Sequence, residues 1–175
     1  MSGFNLADAF DAVAETCAAQ EALVQGPHRR TWAELERRAR NLAAWMVERG
    51  ATRQGKVAIY TYTHPAYMEG VYAAMKAALV PVNVNYRYRE EELRYLLDNA
   101  DAEIVVVHEE FLPVLRAVAG HLPQLRGVLV IGEGEGAPDL AGVPGAARYD
   151  TVAERDRPAP TVPRSPDDHL FLYTG

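Results

Sequence analysis

Four short runs of apolar, mostly β-branched residues are the feature that most constrains how this chain can fold. They occupy residues 57–60, 80–84, 103–107 and 128–131, and stretches with helical spacing separate them. The segment from Ile104 to Val107 has no polar side at all, which is typical of a strand buried on both faces. Strands that alternate with helices predict βαβ units with right-handed crossovers. We therefore expect an α/β fold with a mostly parallel sheet and flanking helices.

The segments between these runs carry helix signals. Pro65 suits the first turn of a helix that extends to about residue 79, and Pro113 suits the first turn of a helix over residues 110–119. Between them, the spacing i, i+3, i+4, i+7 predicts a helix over residues 90–99, with Leu93, Leu96, Leu97 and Ala100 on its apolar face.

The first 50 residues predict two helices with a hairpin between them. Asn5 is a good N-cap for the first helix, and Gly26 with Pro27 predicts a small hairpin over residues 22–31. Thr31 and Glu34 form a capping box at the start of the second helix. The apolar face predicted for the first helix holds Leu6, Ala9, Phe10, Val13 and Cys17. The polar face of the second, which we expect to be solvated, holds Glu34, Arg37, Arg38 and Asn41.

Residues 132–166 break the regular pattern. They are rich in Gly, Ala, Pro and acidic residues, and we expect a long surface connection with a short helical turn near residues 150–154. Ser165 to Asp168 predict a cap and turn that lead into a closing apolar strand. The domain boundaries expected are 1–131 for an α/β subdomain, 132–166 for the connection and 167–175 for the closing strand.

Charge and cysteine content exclude several classes of function. The net charge of −6 disfavours a chain that coats nucleic acid or an anionic membrane. Cys17 is the only cysteine, so no intrachain disulfide is possible, which fits the reducing cytoplasm. No apolar run approaches the roughly 18 residues that a membrane span needs.

Most candidate catalytic motifs are better explained as structural. Gly132 to Gly136 follow a strand, but the spacing is G-x-G-x-G and two glutamates would repel a pyrophosphate, so a surface turn is the better interpretation. The five histidines lack metal-ligand spacing, and no serine lies in G-x-S-x-G. Acidic pairs such as Asp98 with Asp101 are typical of solvated helix ends. The sequence thus predicts neither a metal site nor a hydrolase nucleophile.

Two stretches are more specific, Met75 to Tyr88 and Asp167 to Gly175. Together with the start of the second helix and the segment from Glu92 to Ala100, they resemble the fatty acyl-CoA synthetases of the adenylate-forming superfamily, the AMP-dependent synthetases and ligases. The resemblance covers essentially the whole chain. Ala78 stands where relatives often have glycine, a change that we expect a helix to tolerate.

The resemblance implies a reaction and its site. In this family ATP and a carboxylic acid form an acyl-adenylate, and the CoA thiol then displaces AMP; ATP, Mg²⁺ and CoA are therefore the expected cofactors. Tyr173 would begin the ATP phosphate-binding loop, in which Thr174 and Gly175 would contact the nucleotide. Asn83, Val84 and Asn85 would border the CoA channel, or would only cap the turn before Glu90. The fold implied is an incomplete N-terminal part of the large synthetase domain.

Because the sequence stops inside the phosphate-loop motif, we expect these 175 residues alone to lack adenylation activity. The expected substrate is a small carboxylic acid, in particular a fatty acid, and a homo-oligomer is compatible with the sequence. Two alternatives remain. One is a non-catalytic α/β binding or oligomerisation module of the same fold. The other is an adenylation domain that loads a carrier protein, or a luciferase-like relative.

Overall fold

The computed structural model describes residues 5–132 and 138–173. Thr174, Gly175 and most of the Gly132–Gly136 motif lie outside these residues. The elements follow one another in this order: α1 Leu6–Thr16, β1 Glu21–Gln25, β2 His28–Thr31, α2 Trp32–Glu48, β3 Lys56–Tyr60, α3 Pro65–Lys76, β4 Val80–Asn83, α4 Glu90–Asn99, β5 Ala102–His108, a 3₁₀ turn Glu109–Phe111, α5 Leu112–Ala119, β6 Gly127–Ile131, β7 Ala146–Arg148 and α6 Tyr149–Glu154.

The strands β3 to β7 form one parallel sheet in the order β4-β3-β5-β6-β7. The prediction of a mostly parallel α/β fold is confirmed. The strand β7 extends the sheet by one strand that the sequence did not predict, because it lies within the segment interpreted as a connection. The predicted helical turn in that segment is confirmed as α6. The strands β1 and β2 form a separate antiparallel hairpin, as expected.

Both faces of the sheet are buried, because alternate residues of each central strand point to opposite layers. On one face Ile104 and Val106 pack with α2, α3 and α6. On the other face Val105 and Val107 pack with α4 and α5. The unbroken apolar run of β5 is therefore explained, since all of its residues are buried.

Two predictions about helix faces are wrong. In α1 the structure buries Ala7 and Ala14 and leaves Leu6 47% exposed, because α1 contacts the core from one side through Phe10. In α2 the face expected to be solvated contains the buried residues Arg38 and Asn41. The reason is tertiary: α6 and the chain after it lie on that face.

The prediction that Ala78 is helical is also wrong. Helix α3 ends at Lys76, and Ala78 has a φ of +53°, in the left-handed region that favours glycine. The Thr31–Glu34 capping box is confirmed. Gly50 follows the C-cap Arg49 of α2 with a φ of +80°, a conformation that favours glycine.

The closing segment differs from a buried strand. Phe171 makes one parallel bridge to Val82, and its N–H donates to the carbonyl of Pro81 at 3.2 Å. Leu170 and Leu172 remain 46% and 68% exposed. Within the described residues, none of the helices is long and apolar enough to cross a membrane.

Candidate functional site

A cleft of about 640 Å³ opens beyond the carboxyl ends of β3 and β4. The loop over residues 61–64 forms one wall, and the loop over residues 84–88 forms the other. Its lining combines aromatic rings with hydroxyl and amide groups and consists of Thr61, Tyr62, Thr63, His64, Tyr67, Met68, Asn83, Val84, Asn85, Tyr86, Tyr88, Leu96 and Tyr173.

The sheet order explains why the cleft lies there. The chain passes from β3 outward to β4, and then returns across β3 to place β5 on its other side. Because β3 and β4 are neighbouring parallel strands, the loops that follow them leave the sheet at the same edge, with a crevice between them. Ligands of open α/β sheets bind in such crevices, beyond the carboxyl ends of the strands.

Aromatic packing shapes the wall of the cleft. The ring of Tyr62 lies 4.7 Å from that of Phe111 and 5.0 Å from that of Tyr86, measured between centroids. The hydroxyl of Tyr60 donates to the carbonyl oxygen of Tyr88 at 2.7 Å. Burial raises the pKa of Tyr60, which keeps this donor protonated. The loop over residues 84–88 is thereby fixed against the sheet.

Thr61 is a polar group in the cleft lining that no intramolecular contact explains. The residue is 6% exposed, and its buried hydroxyl has no hydrogen-bond partner in the part of the chain that the structure describes. A buried polar group without a partner costs stability, so such groups are rare without a functional reason. The hydroxyl oxygen is itself buried in the wall of the cleft.

The structure brings together the predicted site residues that it describes. Asn83 ends β4, and the N–H of Val84 continues the ladder by donating to the carbonyl of Ile59 at 3.1 Å. Val84 is buried in the core, whereas Asn83 and Asn85 are exposed. The Oδ1 of Asn85 accepts from the N–H of Arg87 at 3.0 Å, which supports the expected turn-capping role of this residue.

Tyr173 approaches the same cleft from the end of the chain. Its hydroxyl donates to the Oδ1 of Asn99 at 2.9 Å. The predicted nucleotide contacts Thr174 and Gly175 lie outside the described residues, directly after this tyrosine. The segment expected to begin the phosphate loop therefore ends beside the residues expected to border the CoA channel.

A second, polar cleft of about 330 Å³ lies on the other side of His64, and sequence reasoning missed it. At its base the fully buried Glu69 accepts from the Nε of Arg38 at 2.9 Å and from the hydroxyl of Tyr149 at 2.9 Å. Arg38 also pairs with Asp150 at 2.7 Å. These residues are far apart in sequence and have no shared motif, so only the fold brings them together.

The electrostatics of this cluster are balanced. Burial alone would lower the pKa of Arg38, but the carboxylates of Glu69 and Asp150 outweigh it and raise that pKa. Burial and the adjacent Glu69 raise the pKa of Tyr149 well above its ordinary value. Arg38 is therefore charged and Tyr149 protonated, and the cluster joins α2, α3 and α6.

The histidine contacts are consistent with structural roles. The Nδ1 of His64 accepts from the N–H of Ala66 and caps α3, and His108 caps the following 3₁₀ turn in the same way. Across residues 5–132 and 138–173, no group of three His, Cys, Asp or Glu side chains could hold a metal ion.

Comparison with known proteins identifies the family. The sequence profile described as AMP-binding enzyme matches residues 10–175. The chain belongs to the AMP-binding enzyme family. The resemblance noted from the sequence is thus confirmed.

Two relatives and one solved structure show where this AMP-binding chain fits. It is 31% identical to the medium-chain acyl-CoA ligase Mig of Mycobacterium avium, over 100% of the chain and 34% of that protein. It is 30% identical to a medium/long-chain-fatty-acid and 3-oxocholest-4-en-26-oate CoA ligase of Mycobacterium marinum, over 98% of the chain and 32% of that protein. A long-chain-fatty-acid CoA ligase from Archaeoglobus fulgidus superposes with a TM-score of 0.79 at 21% identity, over 100% of the chain and 36% of that structure.

The chain therefore spans about a third of the length of the relatives that it matches. The relatives are acyl-CoA ligases, and the solved structure shares the fold. The expected α/β fold, an incomplete part of a larger enzyme, agrees with both comparisons. That this part is the N-terminal one stays a prediction.

Proposed function

We propose that the complete open reading frame that contains this sequence encodes an ATP-dependent acyl-CoA synthetase. It would join a carboxylic acid to ATP, release pyrophosphate, and then transfer the acyl group from AMP to the thiol of CoA. One observation carries the proposal. The segment expected to begin the phosphate loop reaches, at Tyr173, the cleft lined by Asn83 and Asn85 at the carboxyl ends of the strands. Family membership supports it.

In this proposal the chain divides into three parts. Residues 1–131 form the scaffold, residues 132–166 connect the scaffold to the closing segment, and residues 167–175 lead into the phosphate loop. Thr174 and Gly175 would offer a hydroxyl and a backbone N–H to phosphate oxygens, groups that bind anions without bulk. Mg²⁺ would be needed with ATP in this reaction, and we assign it no ligand among the described residues.

The cleft suits the arm of CoA better than a compact charged group. Its aromatic walls would pack against an extended chain, and the amides of Asn83 and Asn85 would pair with amide groups along that chain. We assign Val84 to the scaffold of this site, since its side chain is buried.

The acid substrate that we propose is a medium- or long-chain fatty acid, because the curated relatives include ligases for such acids. We place the reaction in the cytoplasm, since one cysteine among 175 residues indicates no reliance on disulfides. By itself the 175-residue chain would be inactive, because it holds only the first residues of the loop that binds the phosphates.

The test uses the product of the complete open reading frame and the 175-residue chain side by side. We expect ATP–pyrophosphate exchange that depends on added medium- or long-chain fatty acid from the complete product, and none from the chain alone. An inactive complete product would refute the synthetase proposal. Exchange by the chain alone would refute its predicted inactivity.

A variant separates the CoA role from the nucleotide role. Asn83→Ala should raise the KM for CoA several-fold and leave ATP–pyrophosphate exchange unchanged, because exchange does not require CoA. Asp139→Ala, at an exposed site beside α5, is the matched control. Equal KM values for CoA in the two variants would show that Asn83 does not border the channel.

A further inference from the structure

The segment that leads to Tyr173 enters through a tight turn, from Ser165 to Asp168. The N–H of Asp168 donates to the carbonyl of Ser165 at 3.1 Å, and the N–H of Ser165 donates back to the carboxylate of Asp168 at 2.8 Å. The predicted cap and turn are therefore present. The closing segment consequently starts from a defined backbone conformation.

The carboxylate of Asp168 is also the point at which three parts of the chain meet. Its Oδ1 accepts from Arg53 at 2.5 Å and from Gln54 at 3.0 Å. Its Oδ2 accepts from the Nδ2 of Asn5 at 3.0 Å, in addition to the Ser165 N–H. Its side chain is 11% exposed, whereas that of Arg53 is 48% exposed. Four donors on two oxygens satisfy a carboxylate fully, and hydrogen bonds to a charged acceptor are the stronger kind.

Asn5 makes this junction rigid on the side of α1. Its Oδ1 caps the helix by accepting from the N–H of Ala7 at 2.9 Å, while its Nδ2 reaches both Asp168 and the carbonyl of Ser165. The start of α1, the turn before β3 and the closing segment are thus joined through one carboxylate.

Beyond Asp168 the described segment is also held by the hydrogen bond from the Tyr173 hydroxyl to Asn99 and by Lys56, whose Nζ lies 5.9 Å from the centroid of the Phe171 ring. Phe171 makes a single bridge to β4, and its neighbours Leu170 and Leu172 are exposed. Five residues of extended chain span roughly 17 Å, so Asp168 lies at one end of this strip and Tyr173 at the other. A slip of one residue in such a strip would turn every side chain to the opposite face.

We propose that Asp168 is a positioning residue for the phosphate-binding loop that begins at Tyr173. Its carboxylate holds the strip over residues 169–173 in register along β4, and so sets where Tyr173 enters the cleft. The proposal rests on the proposed synthetase function only for the identity of the ligand, ATP. The geometric part concerns this chain alone.

The experiment compares Asp168→Asn with Asp139→Asn in the product of the complete open reading frame. The side chain of Asp139 also accepts from the backbone N–H two residues on, at Ala141, and lies close to Arg116, but it is exposed. We expect Asp168→Asn to raise the KM for ATP in exchange by about ten- to a hundredfold, because misplacing a binding group by about 1 Å can cost that much. Asp139→Asn should change this KM by less than about twofold.

Two further measurements keep the outcomes distinct. Arg53→Ala removes one donor from an exposed side chain, so the protein should fold normally, and the KM for ATP should rise by a smaller factor in the same direction. Hydrogen exchange at the Phe171 amide, measured without nucleotide, should be faster in Asp168→Asn than in Asp139→Asn.

The results distinguish the positioning role of Asp168 from the proposed synthetase reaction. A lower melting temperature with an unchanged KM for ATP would overturn the proposal, since it would give Asp168 a merely structural role. Should the unmodified protein show no ATP–pyrophosphate exchange with any acid, the synthetase proposal fails. Hydrogen exchange at the Phe171 amide still tests whether Asp168 holds the closing segment in place. Equal hydrogen-exchange rates at this amide in Asp168→Asn and Asp139→Asn would overturn the proposal that Asp168 keeps the segment in register along β4.

Discussion

Replacing Glu69 by Gln is the sharpest test of how the helices α2, α3 and α6 are held together on one face of the sheet. The carboxylate of Glu69 is fully buried and accepts from Arg38 and Tyr149, with Arg30 at 3.3 Å. Glu69→Gln keeps the shape of the side chain and removes the negative charge. The guanidinium of Arg38, which is 4% exposed, would then face a neutral amide.

Removing one partner of a buried ion pair costs about 3–5 kcal/mol. Arg38 would keep its ion pairs with Asp150 and Glu154, whose side chains are 61% and 54% exposed. We therefore expect the lower end of that range, about 3 kcal/mol. For a chain of this length that free energy corresponds to a fall in melting temperature of about 6–12 °C.

The assay is urea unfolding of the 175-residue chain followed by circular dichroism, with Glu21→Gln as the control. Glu21 pairs with Arg29 at 2.5 Å, but the two side chains are 52% and 60% exposed. The same chemical change there should cost no more than about 1 kcal/mol, as is usual for surface pairs. If the two variants unfold at midpoints that agree within error, Glu69 does not hold α2, α3 and α6 together as argued.

Three further predictions follow from local geometry. Gly145→Ala should destabilise the chain by about 2–4 kcal/mol, because the φ of Gly145 is +58° and a Cβ there would overlap the carbonyl of Arg126. The measurement is urea unfolding, and an unchanged midpoint would refute the prediction. Burial would raise the pKa of Asp11, but hydrogen bonds from Lys76 and other donors outweigh it and lower that pKa below 3.8. The stability lost in Asp11→Asn should therefore be largest near neutral pH and shrink as the pH falls below 3.8. A loss of stability that does not depend on pH would contradict this prediction. The 175-residue chain should bind a dye for exposed apolar surface, and Leu172→Lys should reduce that binding, since Leu172 is 68% exposed; equal binding would exclude this segment as the dye site.

Local patterns predicted the parts of the fold that depend on near neighbours in sequence. The runs around Val57, Val82, Val106 and Leu129 form the strands β3, β4, β5 and β6. The Thr31 capping box is present where the sequence places it. These features depend on spacing within one element, so the sequence alone is sufficient to find them.

Long-range contacts decided the parts that the sequence did not predict. Arg38 is buried because Glu69 and Asp150 reach it from other elements, and no local pattern records that. Ala78 has a positive φ because the chain must turn from α3 into β4 within a few residues. Strand β7 was missed because three residues carry too little periodicity to be recognised.

The same distinction between local patterns and long-range contacts applies to the candidate site. Motifs in the sequence were enough to name the family and to single out Asn83, Asn85 and Tyr173, because their types and order are local. That these residues share one cleft, beside the unpartnered hydroxyl of Thr61 and beyond the anchor at Asp168, followed only from the tertiary structure. Pairing between strands far apart in sequence sets the distance between their loops, and no spacing along the chain encodes that distance.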